Sequence, residues 1–157
     1  MKNFLAVFVA TVSICIATQL PSQAGEAKKS YVGVGVTSVS SITGFGIVSK
    51  IGIADNVSIR PFISVLASSG STSLYLAGAS VTYDFNQTNA DFNPYAGLGY
   101  GFVGITNGIE NANLGSSAYG EIGADYNVAE SVAVNGNYKY FFAGGGNSLG
   151  LGVGYRF

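Results

Sequence analysis

The sequence predicts an all-β protein: an eight-stranded antiparallel up-and-down β-barrel that crosses a membrane with its strands. Three observations carry that expectation. Beyond an apolar leader, the chain breaks into eight segments of two-residue periodicity, separated by short polar or glycine-bearing turns. Charged residues make up 10% of the chain, against ~25% in ordinary globular domains, while hydrophobic residues reach 48% and glycines number 23. No later segment has the ~20 consecutive apolar residues of a membrane helix. A secreted chain this apolar and this poor in charge must therefore present its apolar side chains to lipid from strands.

The leader sets the compartment. Lys2 precedes an apolar run from Phe4 to Ile16, and Ser22-Gln23-Ala24 closes it with small residues. This is the layout of a cleaved signal peptide over 1–24, which leaves 25–157 as the barrel domain. The apolar run is too short for an anchor helix. Cys15 falls within the leader, so the mature chain has no thiol for a disulfide.

The strands follow in order. Ser30 to Ser38 alternates Val32, Val34 and Val36 against Tyr31, Gly33, Gly35 and Thr37. Gly44 to Ile53 carries Phe45, Ile47, Ile51 and Ile53 on one face, and after Ala54-Asp55-Asn56 the run Val57 to Leu66 carries Val57, Ile59, Ile63 and Val65. Thr72 to Phe85 sets Tyr75, Ala77, Ala79, Val81 and Tyr83 together. Pro94 to Ile105 places Ala96, Leu98, Tyr100 and Phe102 against Tyr95, Gly97, Gly99 and Gly101. Ala118 to Val128 opposes Ile122, Ala124 and Tyr126 to Tyr119, Glu121 and Asp125. Ser131 to Phe142 opposes Val132, Val134, Tyr138 and Tyr140 to Asn135, Asn137 and Lys139, and Ser148 to Phe157 alternates Leu149, Leu151, Val153, Tyr155 and Phe157 with glycines and Arg156. Thr106 to Ser116 reads as the longest loop, and Pro61, which donates no ladder bond, calls for a bulge or a place near the rim.

The charges decide which face is outside. Lys50, Arg60, Glu121, Asp125, Lys139 and Arg156 all share the glycine- and Ser/Thr/Asn-bearing side, and Asp84 alone is left without a place. So few charges could not solubilise the outside of a barrel, but enclosed they can pair as a lumen network. The pairing expected is Arg60 and Lys139 with Glu121 and Asp125. Tyr31, Tyr83, Phe85, Tyr95, Tyr126, Tyr140, Phe142, Tyr155 and Phe157 sit near strand ends, where interfacial aromatic girdles belong.

Several segments resemble the small outer-membrane β-barrel family that includes the OmpA transmembrane domain, OmpX and the opacity-type proteins. Asn93-Pro-Tyr-Ala-Gly-Leu-Gly-Tyr-Gly-Phe102 is similar to that family's Pro-Tyr-x-Gly-x-Gly-x-Gly strand, and Gly123 to Val132 to its strand–tight turn–strand module. The ending Val153-Gly-Tyr-Arg-Phe157 resembles the family's assembly signal. The resemblance implies a bacterial outer-membrane location. It also implies that Val153, Tyr155 and Phe157 are read by the outer-membrane assembly machinery.

Absences restrict the chemistry. The sequence holds no histidine, which excludes Ser-His-Asp and Cys-His catalysis, and no His/Cys cluster for a transition metal. The expectation is of a protein that is not an enzyme and holds no cofactor. Gly99-Tyr-Gly-Phe-Val-Gly104 matches a dinucleotide fingerprint, but its glycines continue through a strand with no helix after them. Glu121 and Asp125 could be a carboxylate pair for hydrolysis, yet a filled eight-stranded interior favours pairing with Arg60, Lys139, Lys50 or Arg156. A net charge of −1 leaves no basic footprint for nucleic acid. The expected partners are outer-membrane lipid and the assembly machinery, and the expected state is a monomer. The leading function is a structural or surface-interaction role in the envelope. The alternative is a narrow porin-like channel for ions or small solutes, if the inward glycines leave water-filled gaps.

Overall fold

A computed structural model describes residues 30–69, 72–86, 91–107 and 111–157. The leader 1–24 lies outside the described residues. Eight strands follow one another as β1 (Tyr31–Val39), β2 (Ile42–Ala54), β3 (Val57–Ser69), β4 (Thr72–Asp84), β5 (Phe92–Thr106), β6 (Asn111–Ala129), β7 (Val132–Phe141) and β8 (Asn147–Arg156). Each pairs antiparallel with the next, and β1 closes on β8, giving an up-and-down barrel. Closure leaves neither β1 nor β8 an edge along the ladder Tyr31↔Arg156 to Val39↔Ser148, which is what a strand structure in lipid requires.

The register fixes the barrel's dimensions. Followed rung by rung, the ladder runs from Gly52 on β2 through Ser58, Thr82, Gly97, Glu121, Lys139, Ser148 and Val39. It returns to β2 at Ile42, ten residues from its start. With ~3.3 Å per residue and ~4.8 Å between strands, that stagger tilts the strands by about 41° and sets a backbone radius of about 8 Å. Such an interior holds its own side chains and little else.

The outside is apolar, as the alternation requires. Val34 is 69% exposed, Phe45 72%, Leu98 66% and Ile122 60%. Tyr83, Phe85, Tyr126, Tyr155 and Phe157 are exposed near the end that carries the chain termini, and Tyr140 and Phe142 near the opposite end. Two aromatics expected in these girdles are elsewhere. Tyr31 and Tyr95 are 4% and 2% exposed and point into the lumen. Their parity along the strand, shared with Gly33 and Gly97, outweighs the preference of aromatics for the interface.

Glycines opposite them make that inward turn possible. Tyr95 faces Gly123 across the β5–β6 ladder, and Tyr119 faces Gly99. A Cβ on Gly123 would stand 2.5 Å from the Tyr95 hydroxyl, and one on Gly99 would overlap the Tyr119 ring. Each ring thus occupies the space that a side chain on its partner would need. Edge contacts to Phe62 and Phe141, at ring separations of 6.2 and 5.2 Å, fix Tyr119 further.

Two other expectations need correction. Most of the expected loop from Thr106 to Ser116 is strand, because β6 begins at Asn111 and pairs with β5 from Thr106↔Asn111 onward. Asn, Ser and Gly disfavour strands on their own, but a hairpin partner overrides that weak preference. Pro61 lies mid-strand without a bulge: the β2–β3 ladder passes from Val48↔Phe62 to Ile51↔Ile59 in unchanged register. The Ser49 hydroxyl donates to the Pro61 carbonyl at 3.0 Å, a side-chain bond where the ladder is thinned. The Gly99–Gly104 fingerprint lies wholly within β5, as a strand rather than a strand-to-helix turn.

Candidate functional site

The inward parity of five strands converges on one cluster of six charges. Lys50 comes from β2, Arg60 from β3, Asp84 from β4, Glu121 and Asp125 from β6, and Lys139 from β7. All six side chains are 7% exposed or less. Three cations meet three carboxylates, so the enclosed set is neutral.

Four of them form a closed ring. Asp84 contacts Lys50 and Arg60 at 3.0 Å each, and Asp125 contacts Lys50 at 3.1 Å and Arg60 at 2.8 Å. Lys50 and Arg60 lie side by side on adjacent strands, where two cations would repel. Each carboxylate bridges both, which removes that repulsion. Because β6 stands on the far side of the barrel from β2 and β3, Asp125 ties opposite walls together through the middle of the lumen.

Neutral groups complete the ring. Ser58 donates to Asp84 at 2.6 Å, and Asn135 donates to Asp125 at 2.8 Å. The Tyr31 hydroxyl accepts from Arg60 and donates to Asp125, both at 3.2 Å. Arg60 Nε donates to the Thr82 hydroxyl at 3.0 Å, and its guanidinium lies 3.5 Å from the centre of the Tyr95 ring. A buried charge so thoroughly hydrogen-bonded avoids most of the desolvation cost that would otherwise expel or neutralise it.

A second layer lies toward the end opposite the termini. Lys139 and Glu121 face each other directly across β6–β7, and their charged atoms are 3.3 Å apart. Ser80 and Tyr95 donate to Glu121, while Lys139 donates to Asn137 at 2.7 Å and lies over the Phe62 ring. Asn137 donates to Asn135, which joins the two layers. A void of about 20 Å³ between Tyr31, Arg60, Tyr95, Glu121, Asn137 and Lys139 has room for a single water.

The sequence-derived network differs from this in two members. Asp84, left unplaced by the sequence reading, is one corner of the ring. It shares the parity of Ser80 and Thr82, which are 2% and 1% exposed. Arg156 is not part of the cluster. It is the last inward position of β8 and stands at the rim, where its Nη1 reaches the Ala129 carbonyl at 3.5 Å. Its chain position leaves it short of the lumen's carboxylates. Among the neutral groups, Tyr31, Tyr95, Ser58 and Asn135 join the charges; alternation puts them on the lumen face, but only the register brings them into contact. Val153, Tyr155 and Phe157 form an outward stripe, 50%, 62% and 48% exposed, and the Phe157 amide donates to the Ser30 carbonyl at 3.1 Å.

The Ser58 and Ser80 hydroxyls lie beside carboxylates, but Asp84 and Glu121 are each engaged by a buried cation as well, and no group of His, Cys, Asp or Glu among the described residues could hold a metal. The same architecture recurs in known proteins. A model of the outer membrane protein β-barrel domain matches residues 7–157. The chain belongs to that family. It is accordingly a bacterial outer-membrane β-barrel protein. Among solved structures, it is similar to the N-terminal β-barrel domain of Pseudomonas aeruginosa OprF, with 17% identity and a TM-score of 0.66 over 83% of this chain and 98% of that one. It is also similar to Neisserial surface protein A, with 23% identity and a TM-score of 0.55, covering 82% and 94% of the two chains. Pseudomonas aeruginosa OprG matches at 17% identity and a TM-score of 0.57, covering 86% and 98%. At these identities the likeness is one of fold. No curated protein sequence matches the chain.

Proposed function

We propose that this barrel is a closed, non-enzymatic structural element of the outer membrane, able to meet external partners only through its hairpin ends. The single observation that supports this reading most is the ring of Lys50, Asp84, Arg60 and Asp125, which joins β6 to β2, β3 and β4 through the lumen. An ion entering the barrel would have to displace buried, doubly paired charges. Catalysis is disfavoured by the lack of any histidine in the sequence and by carboxylates already engaged with cations.

The competing reading is a narrow channel for ions or small solutes, and it needs the inward glycines to leave gaps. The observed surroundings speak against it. The Cβ position of Gly97 is taken by Thr82, that of Gly99 by Tyr119, that of Gly150 by Asn137 and that of Gly154 by Tyr31. Planar-bilayer recording of the refolded chain separates the two readings. Insertion without discrete current steps is expected, and regular single-channel openings would sink the closed reading.

The outward stripe of Val153, Tyr155 and Phe157 is proposed to be the signal read during assembly, as the family resemblance implies. Deleting Phe157 is then expected to slow insertion in cells while leaving refolding into detergent micelles intact. Normal delivery of the truncated chain would reduce Phe157 to a lipid-facing hydrophobe, worth about 1.5–3 kcal/mol.

A further inference from the structure

The barrel wall is unusually bare on one side. Gly152 on β8, Gly35 on β1 and Gly46 on β2 stand in one register row, and the row continues into Ser64 on β3. Their inward faces are pinched. A Cβ on Gly35 would lie 2.6 Å from the Leu151 carbonyl oxygen, and one on Gly152 would lie 2.8 Å from a Val48 methyl. A Cβ on Gly46 would overlap the Ile63 carbonyl. The wall of a small closed barrel curves toward its inner face and fans its outer side chains apart. Between the separated rows the glycine backbone itself becomes the floor of a groove.

That groove is present, with a volume of about 610 Å³. Val36 and Phe45 flank its floor on β1 and β2, Ile63 lies on the β3 side, and Leu151 and Val153 lie on the β8 side. Every residue lining it is aliphatic, aromatic or glycine. It opens outward among Val34, Val36 and Phe45, which are 69%, 50% and 72% exposed, so it is continuous with the lipid-facing belt.

We propose that this groove is a binding site for one hydrocarbon chain of an outer-membrane lipid, held along the glycine row. At about 30 Å³ for a group the size of a water or a methylene, the groove accommodates about twenty such groups. This is the scale of a single acyl chain, and the groove is open on its outer side to the lipid around the barrel. A second copy of the chain is the competing occupant, since a two-fold dimer could seat an exposed side chain of each copy in the groove of the other, but the groove's continuity with the lipid-facing belt favours lipid. A flexible chain instead follows the floor and gains dispersion contacts on both flanks.

The test is native mass spectrometry of the full chain extracted from membranes in mild detergent, with two variants. Val36→Trp fills the groove, while Leu98→Trp adds the same bulk on β5, on the far side of the barrel. Neither touches the lumen, and heat-modifiable gel mobility verifies that each variant is folded. The wild type and Leu98→Trp are expected to retain one lipid per barrel. Val36→Trp is expected to lose it about tenfold, because the site is then overpacked. Three results would overturn the proposal: no lipid retained by the wild type, equal retention by the two variants, or a dimer mass that Val36→Trp abolishes.

Discussion

Asp125→Ala is expected to destabilise the folded barrel by about 3–5 kcal/mol, the range for removing one partner of a buried pair. The substitution deletes the bridge that, among the described residues, reaches Lys50 and Arg60 from the far wall, and it also removes the acceptor used by Tyr31 and Asn135. Asp84 would then face two cations alone, leaving a net positive charge enclosed in an apolar shell. At a urea dependence of about 2 kcal/mol per molar, the unfolding midpoint falls by about 1.5–2.5 M. Glu130→Ala, in the exposed turn between β6 and β7, is the control. It should stay within about 0.5 kcal/mol, as surface changes do. Equal shifts from the two substitutions would mean that the charges do not face the lumen.

The second large effect is expected at a glycine. Gly99→Ala places a methyl group where the Tyr119 ring lies, with the Ala79 carbonyl 2.6 Å away on the other side. Tyr119 is fully buried and is held between Phe62 and Phe141, so it has little freedom to retreat. Overpacking of this kind costs about 1–3 kcal/mol. Gly115→Ala is the matched comparison, since nothing lies within 4 Å of its Cβ position. There the change should be neutral or stabilising by up to about 1 kcal/mol, because alanine restricts the unfolded chain. Parallel denaturation of the two variants checks the contrast, and similar midpoints would show that Tyr119 does not pack on Gly99.

Both effects depend on which residues point inward, and the sequence carried that information unevenly. Alternation places Lys50, Arg60, Glu121, Asp125 and Lys139 on one face, because each has an outward hydrophobe as a direct neighbour in the chain: Ile51, Ile59, Ile122, Tyr126 and Tyr138. The same pattern contained Tyr31, Tyr95 and Asp84. Tyr31 and Tyr95 fall on the glycine-bearing face by alternation yet also fit an aromatic girdle by residue type, since aromatics near strand ends usually meet the interface, and here alternation wins. Asp84 is the last residue of β4, where the pattern runs out into a polar connector. What alternation cannot show is reach. Whether an inward charge meets a partner depends on the stagger of the ladder, and that stagger is a property of all eight registers together. It leaves Arg156 at the rim beside Ala129 while bringing Asp125 across to Arg60. The Tyr–Gly partnerships were hidden for the same reason, because Tyr119↔Gly99 and Tyr95↔Gly123 are matters of register rather than composition.

Charges from opposite walls meet in the lumen, and a double-mutant cycle between Arg60 and Asp125 reads that contact. These residues lie on β3 and β6, which are not neighbours in the sheet, so only a contact through the interior can couple them. Arg60→Met, Asp125→Asn and the double variant would be unfolded in urea under identical conditions. The ring predicts that the double variant is destabilised by less than the sum of the single changes, with a coupling of about 1–3 kcal/mol. Additivity to within about 0.5 kcal/mol, the behaviour of independent sites, would contradict a ring that spans the lumen.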